Sequence, residues 1–98
     1  MSRLNKKFYQ LINENKKAFI PFIMAGFPSI SYSSNLLNKL PALGADIIEI
    51  GMPFTDPMAD GKIIQDAGHA ALAAGFKMDC LHKMIEGFRN TDQNTPII

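Results

Sequence analysis

A carboxyl group with a raised pKa can give and take a proton in turn, and one stretch of this chain carries three carboxylates. Ile47 to Gly61 reads IIEIGMPFTDPMADG and holds Glu49, Asp56 and Asp60. Glu49 interrupts an apolar run of Ile47, Ile48 and Ile50, which reads as a short strand buried on both faces and closed by Gly51. An ionised carboxylate buried in such a run is costly unless it is paired, hydrated or protonated. Strand alternation puts Ile47, Glu49 and Gly51 on one face, with Asp46, Ile48 and Ile50 on the other. Glu49 therefore stands near the C-terminal end of a strand, beside a residue that leaves space above it. Parallel α/β sheets and barrels build their active sites there. Asp56 precedes Pro57 and can simply start a turn. Asp60 precedes a helical pattern, and both an N-cap and a functional role stay open for it. Phe22, in the apolar stretch AFIPFIMA, shares a face with Ile20 and Met24 and reads either as core or as a pocket wall.

Other chemistries find less support. A Schiff-base aldolase needs a lysine in a barrel interior. Lys16, Lys17, Lys39, Lys62, Lys77 and Lys83 fall on helices, at their ends or before a strand. A metal aldolase needs clustered His and carboxylate ligands, whereas His69 and His82 are thirteen residues apart without partners at metal spacing. Cys80 and His82 are two apart on a helical pattern and point to different faces. No metal site is expected.

The elements that must position these groups follow from periodicity. Ser2 to Lys17 is a helix with the stripe Leu4, Phe8, Leu11 and Ile12, capped by Ser2, with Lys16 and Lys17 at its negative end. Ala18 to Ala25 is a strand, although Pro21 cannot donate to a ladder. Gly26-Phe27-Pro28 is a turn, and Ser29 caps a helix running to about Leu43. Its expected buried stripe is Tyr32, Leu36, Leu40 and Leu43, with Leu37 beside them; Gly44 follows as the C-terminal stop and Pro41 kinks the last turn. Lys62 to Ala74 is a helix with a small apolar face of Ile63, Ile64, Ala67, Ala70, Ala71 and Ala74, ended by Gly75. A cation at its start, Lys62, is mildly unfavourable. Phe76 to Asn90 is a helix with the stripe Met78, Leu81, Met84, Ile85 and Phe88, weakened by the absence of a cap at Lys77 and by Gly87. Thr91 to Thr95 is a polar loop, and Pro96-Ile97-Ile98 begins a third strand. Helix, β, α, β, two helices, β is the order of a parallel α/β protein.

Composition sets the limits. The chain has 98 residues, enough for one small domain, with 47% hydrophobic and 19% charged residues. A net charge of +1 gives no argument for nucleic acid or a membrane surface. One cysteine excludes an internal disulfide and fits a reducing compartment. No apolar run approaches the ~20 residues that span a bilayer, and the first residues lack a signal-peptide core, so a cytoplasmic location is expected.

The stretch I-E-I-G-M-P-F-T-D-P-M-A-D-G, Ile48 to Gly61, resembles the signature of the tryptophan synthase alpha chain family. The resemblance extends through Ala18-Phe19-Ile20-Pro21-Phe22, Gly26-Phe27-Pro28, Gly44-Ala45-Asp46, Ile64-Gln65 and Ala74-Gly75, which is almost the whole chain. Two departures are Lys62, where the family usually has Pro, and Met24, where some members carry a hydroxyl residue. The resemblance implies a (β/α)8 TIM barrel, which typically takes ~250 residues. Residues 1–98 would then be the N-terminal portion of one barrel domain: a first helix, two βα units and the start of a third strand, with the barrel incomplete.

The resemblance also implies a lyase of tryptophan biosynthesis, cleaving indole-3-glycerol phosphate to indole and glyceraldehyde 3-phosphate by a retro-aldol reaction. It casts Glu49 as the acid–base that protonates ring C3 and takes the proton of the neighbouring hydroxyl. Asp60 accepts the ring N–H as positive charge develops, and Phe22 lies against the indole. It implies a beta subunit partner in an alpha2beta2 heterotetramer, contacted through Pro53, Phe54, Asp56, Pro57 and Met58. That partner receives the indole and holds pyridoxal phosphate; no cofactor belongs to this chain. The piece alone is expected to be inactive, since barrel phosphate sites form after strands 7 and 8. The alternatives are a non-catalytic fragment that binds the beta subunit, with Met52-Pro53-Phe54 as an exposed surface, and another phosphate-sugar barrel lyase or isomerase.

Overall fold

The structure is a computed structural model that describes residues 1–54 and 61–98. In chain order it contains α1 (Arg3–Asn13), β1 (Phe22–Met24), α2 (Ile30–Lys39), β2 (Glu49–Gly51), α3 (Lys62–Ala73) and α4 (Met78–Thr91). β1 and β2 pair in parallel, with Phe22 opposite Glu49, Ile23 opposite Ile50 and Met24 opposite Gly51. The third strand expected at the C-terminus begins on the other side of β2. Ile48 N–H donates to Pro96 O (2.9 Å), Ile98 N–H to Ile48 O (2.8 Å) and Ile50 N–H to Ile98 O (2.8 Å). β2 is thus the centre of three parallel segments, and the alternating helices follow from the need to cross back between parallel strands.

Asp46 ties the ladder together before the strands begin. Its backbone N–H donates to Phe19 O (2.9 Å), and its side-chain Oδ2 accepts Phe19 N–H (2.8 Å). A slip of one residue would break both bonds and send every side chain to the opposite face. Pro21 does no harm, because it stands just before β1 and only its carbonyl is used, accepting Glu49 N–H (3.0 Å).

The core lies on one side of this sheet. Ile23, Ala25 and Ile48 pack against Leu37 and Leu40 of the α2 region, Ala71 of α3 and Leu81, Met84 and Phe88 of α4. Of the stripe expected on α4, Leu81, Met84 and Phe88 are buried, Ile85 is half-buried and Met78 is exposed. On α2 the expected stripe is displaced: Ser33, Leu37 and Leu40 are buried, while Tyr32 and Leu43 are exposed. On α3 only Gly68 and Ala71 are buried, and Ile63 is among the most exposed apolar residues.

Helix ends account for the shorter elements. Ser2 and Ser29 cap α1 and α2 as expected, accepting Asn5 N–H and Tyr32 N–H, each at 3.1 Å. α1 ends at Asn13 rather than Lys17, because Asn15 takes φ 54° and Lys16 N–H turns back to Leu11 O (2.9 Å). The same closure follows Gly75, where Phe76 N–H returns to Ala71 O (3.1 Å). α2 stops at Lys39, so Pro41 terminates the helix instead of kinking it. Lys62 finds a partner one turn on, its Nζ 2.8 Å from Asp66 Oδ2, which answers the unfavourable charge at the start of α3.

Candidate active site

Phe22 and Glu49 are brought directly across the ladder from each other, on the face that also carries Met24 and Gly51. This is the face opposite the core; Phe22 and Glu49 open the two strands and Met24 and Gly51 close them at their C-terminal ends. Glu49 is exposed, which corrects the expectation of a carboxylate buried inside an apolar strand. Ile47 and Ile48, just before it, are fully buried. The apolar run is sealed at its start and opens at Glu49. Among the described residues the Glu49 carboxylate has no hydrogen-bond or ion-pair partner.

Gly51 is needed for the site to have this shape. A Cβ built on it would lie 2.9 Å from Phe22 Cε2 and 3.3 Å from Met24 Cε, so the phenyl ring occupies the volume a side chain would take. The ring of Phe22 is 41% exposed, and it forms one wall of an apolar cavity of about 510 Å³ with Met24, Phe27, Tyr32, Leu36 and Ile64. Phe22 is thus a cavity wall rather than core. Glu49 is not part of that wall.

The turn after β1 is built by a residue that sequence reasoning passed over. Ser33 is fully buried, and its Oγ accepts Gly26 N–H (2.9 Å) while lying 3.1 Å from Ile30 O. Gly26 has φ +84°, and a Cβ there would come within 2.8 Å of the Phe76 ring, so glycine alone fits. The signal available beforehand was a serine four residues after the Ser29 cap and on the same side as Leu37 and Leu40.

Of the other expected site residues, Asp56, Pro57, Met58 and Asp60 lie outside the described residues. The cap of α3 falls on Gly61, which has no side chain to offer. Pro53 is buried, its Cα 3.7 Å from the Cβ position of Gly68 in α3, so the expected exposed surface Met52-Pro53-Phe54 reduces to Phe54 with a half-buried Met52. His69 and His82 are exposed, and among the described residues no group of three or more His, Cys, Asp or Glu could hold a metal ion. No helix among them is long and apolar enough to cross a membrane.

Comparison with known proteins finds one family. The family model for the tryptophan synthase alpha chain matches residues 8–98. A tryptophan synthase alpha chain from Granulibacter bethesdensis is 54% identical over 98 residues, all of this chain and 35% of the relative. The crystal structure of tryptophan synthase subunit alpha from Legionella pneumophila superposes with a TM-score of 0.95 at 40% identity, covering 99% of this chain and 37% of that one. A chain of tryptophan synthase from M. tuberculosis, in an aminoacrylate-bound form, superposes with a TM-score of 0.83 at 34% identity over 88% of this chain. The chain spans about a third of the length of the relatives it matches.

Proposed function

Since the chain belongs to the tryptophan synthase alpha chain family, and its fold is part of a (β/α)8 TIM barrel, we propose that its protein is the lyase that cleaves indole-3-glycerol phosphate to indole and glyceraldehyde 3-phosphate. The observation that carries this reading is the parallel pairing of Phe22 with Glu49 on the open face of β1 and β2. An aromatic substrate laid against the Phe22 ring would bring its five-membered ring toward the Glu49 carboxyl.

The chemistry asks for two proton transfers. A proton delivered to ring C3 converts the indole to an indolenine cation. Removal of the proton from the hydroxyl on the carbon attached to C3 then lets that oxygen form the aldehyde carbonyl. The carbon–carbon bond breaks, its electron pair returns to the ring, and indole and glyceraldehyde 3-phosphate separate. Glu49 serves as the donor in the first transfer and the acceptor in the second. Asp60 accepts the ring N–H, stabilising the charge that develops there. The phosphate is held by the part of the barrel this chain does not span. Indole passes to a beta subunit that carries pyridoxal phosphate, within an alpha2beta2 assembly, and exposed Phe54 together with Asp56, Pro57 and Met58 faces that partner. The protein is cytoplasmic.

In the full-length protein, Glu49→Gln should keep binding of a substrate analogue and lower turnover by roughly 10²–10⁴. Turnover within a few-fold of the parent would remove Glu49 from the mechanism.

A further inference from the structure

We infer that Met24 is a positioning residue whose terminal methyl, lodged between Gly51 and Gly68, holds the Phe22 ring and helix α3 in fixed relation. This rests on the assignment of Phe22 to the substrate's aromatic ring. Met24 shares the open face with Phe22 and Glu49, yet it is only 7% exposed, against 41% for Phe22. What covers it is α3. The Met24 Cε lies 3.8 Å from the Cβ position of Gly68, at a point where α3 also meets the backbone of Pro53 at 3.7 Å. Toward the sheet, the same methyl is 3.3 Å from the Cβ position of Gly51, where Phe22 Cε2 stands at 2.9 Å. Ring and methyl therefore converge on one glycine, and the methyl alone also reaches the second.

This is different from ordinary core filling. The main core lies on the other face of the sheet, around Ile23, Ala25 and Ile48, and Met24 is not part of that cluster. It lines the same 510 Å³ space as Phe22, Ile23, Ile64 and Ala67. An unbranched thioether suits a gap between two glycines, because it reaches far and bends to fit. Shortening it to Ala leaves room into which the Phe22 ring can fall, taking the wall of the aromatic subsite with it.

The test uses the full-length enzyme with indole-3-glycerol phosphate, with Met24→Ala and Met24→Leu each made in the parent and in Phe22→Ala. Met24→Ala should raise KM about ten-fold in the parent while kcat changes less than about three-fold, the signature of lost binding rather than lost chemistry. Met24→Leu should restore KM to within about three-fold, and Met24→Ala in the Phe22→Ala background should add less than about two-fold, because contacting residues are non-additive. An unchanged KM, or an equal rise in both backgrounds, overturns the proposal. A second measurement needs no variant: in protein labelled at the methionine methyl, Met24 should show a nuclear Overhauser contact to Gly68 Hα, and its absence overturns the proposal even if Met24→Ala fails to fold. If the parent enzyme has no lyase activity, the functional reading fails, and the Met24 assignment fails with it even where the methyl contact is present.

Discussion

Replacing Ser33 by Ala isolates one buried hydrogen bond at the turn that follows β1. The hydroxyl is fully enclosed and accepts Gly26 N–H at 2.9 Å, and Gly26 is itself buried. Water cannot take over the acceptor's place, so the substitution strands a buried N–H, which costs about 1–3 kcal/mol. Two smaller effects nearly cancel. The hydroxyl's weaker bonds to Ile30 O at 3.1 Å and Met84 Sδ at 3.7 Å are lost, while Ala gains roughly 0.5 kcal/mol of helix propensity over Ser. A net loss of about 1–3 kcal/mol remains, or roughly 2–12 °C in the unfolding midpoint of the full-length barrel. The assay is urea unfolding followed by circular dichroism, with an unchanged slope showing that only stability has moved. Ser31→Ala is the control: that residue is exposed and its hydroxyl meets only Ser29 Oγ at 3.4 Å, so it should move stability by less than about 0.5 kcal/mol. If the two variants cost the same, the buried N–H is satisfied in another way and the reasoning fails.

Two further perturbations separate structure from function. Gly51→Ala forces the end of the Phe22 ring aside, but that ring is partly exposed and can swing outward. Stability should therefore fall by only about 1 kcal/mol, the low end for overpacking, while KM for the indole substrate rises about ten-fold; thermal melts and steady-state kinetics on one preparation would show whether the two part company. Asp92 supplies a pH dependence. Partial burial is the largest influence on its carboxyl and pushes it up, but hydrogen bonds from the Thr95 hydroxyl (2.6 Å), Thr95 N–H and Asn94 N–H (both 2.8 Å), with the charge of Arg89, hold it below its ordinary value of 3.8. A carboxyl held down in the folded state adds stability that is fully present above 3.8 and is lost as pH falls through its lower folded value. Asp92→Asn should accordingly be less stable than the parent at neutral pH, with the difference closing below pH 3.8; a constant gap across an acid titration would contradict this.

How far the residues announced their own structure depended on where the deciding atoms were. Gly44 does not end α2, which stops five residues earlier at Lys39. Ser2, Ser29 and Gly75 act on neighbours a few positions away, and their roles are legible. Asn15 acts the same way and was readable too, since Asn is the residue besides Gly that commonly accepts a left-handed backbone. On α2 apolarity does not mark burial. Its inward face carries Ser33, whose burial is made acceptable by Gly26 seven positions back, while Tyr32 and Leu36 line the cavity instead. Glu49 shows a different gap. Its face of the strand was correctly placed by alternation, but its exposure depends on what lies over that face, which no local pattern encodes. The same holds for Met24 and Gly68, forty-four residues apart, whose contact follows only once α3 has crossed back to β1.

The bonds between Phe19 and Asp46 have a kinetic counterpart in those between Arg3 and Gln93. The first pair closes a loop of 27 residues; the second, Arg3 Nε to Gln93 O at 2.6 Å, closes one of 90. With loop entropy growing as the logarithm of length, the longer closure costs about 1 kcal/mol more when each is made from the open chain. Made after the strands have paired and α4 has docked, it costs far less, since the intervening chain is already folded. The order of assembly follows: strand register first, the N-terminal helix last. On unfolding, α1 is correspondingly the element that leaves first, and its release need not disturb the face that bears Phe22 and Glu49.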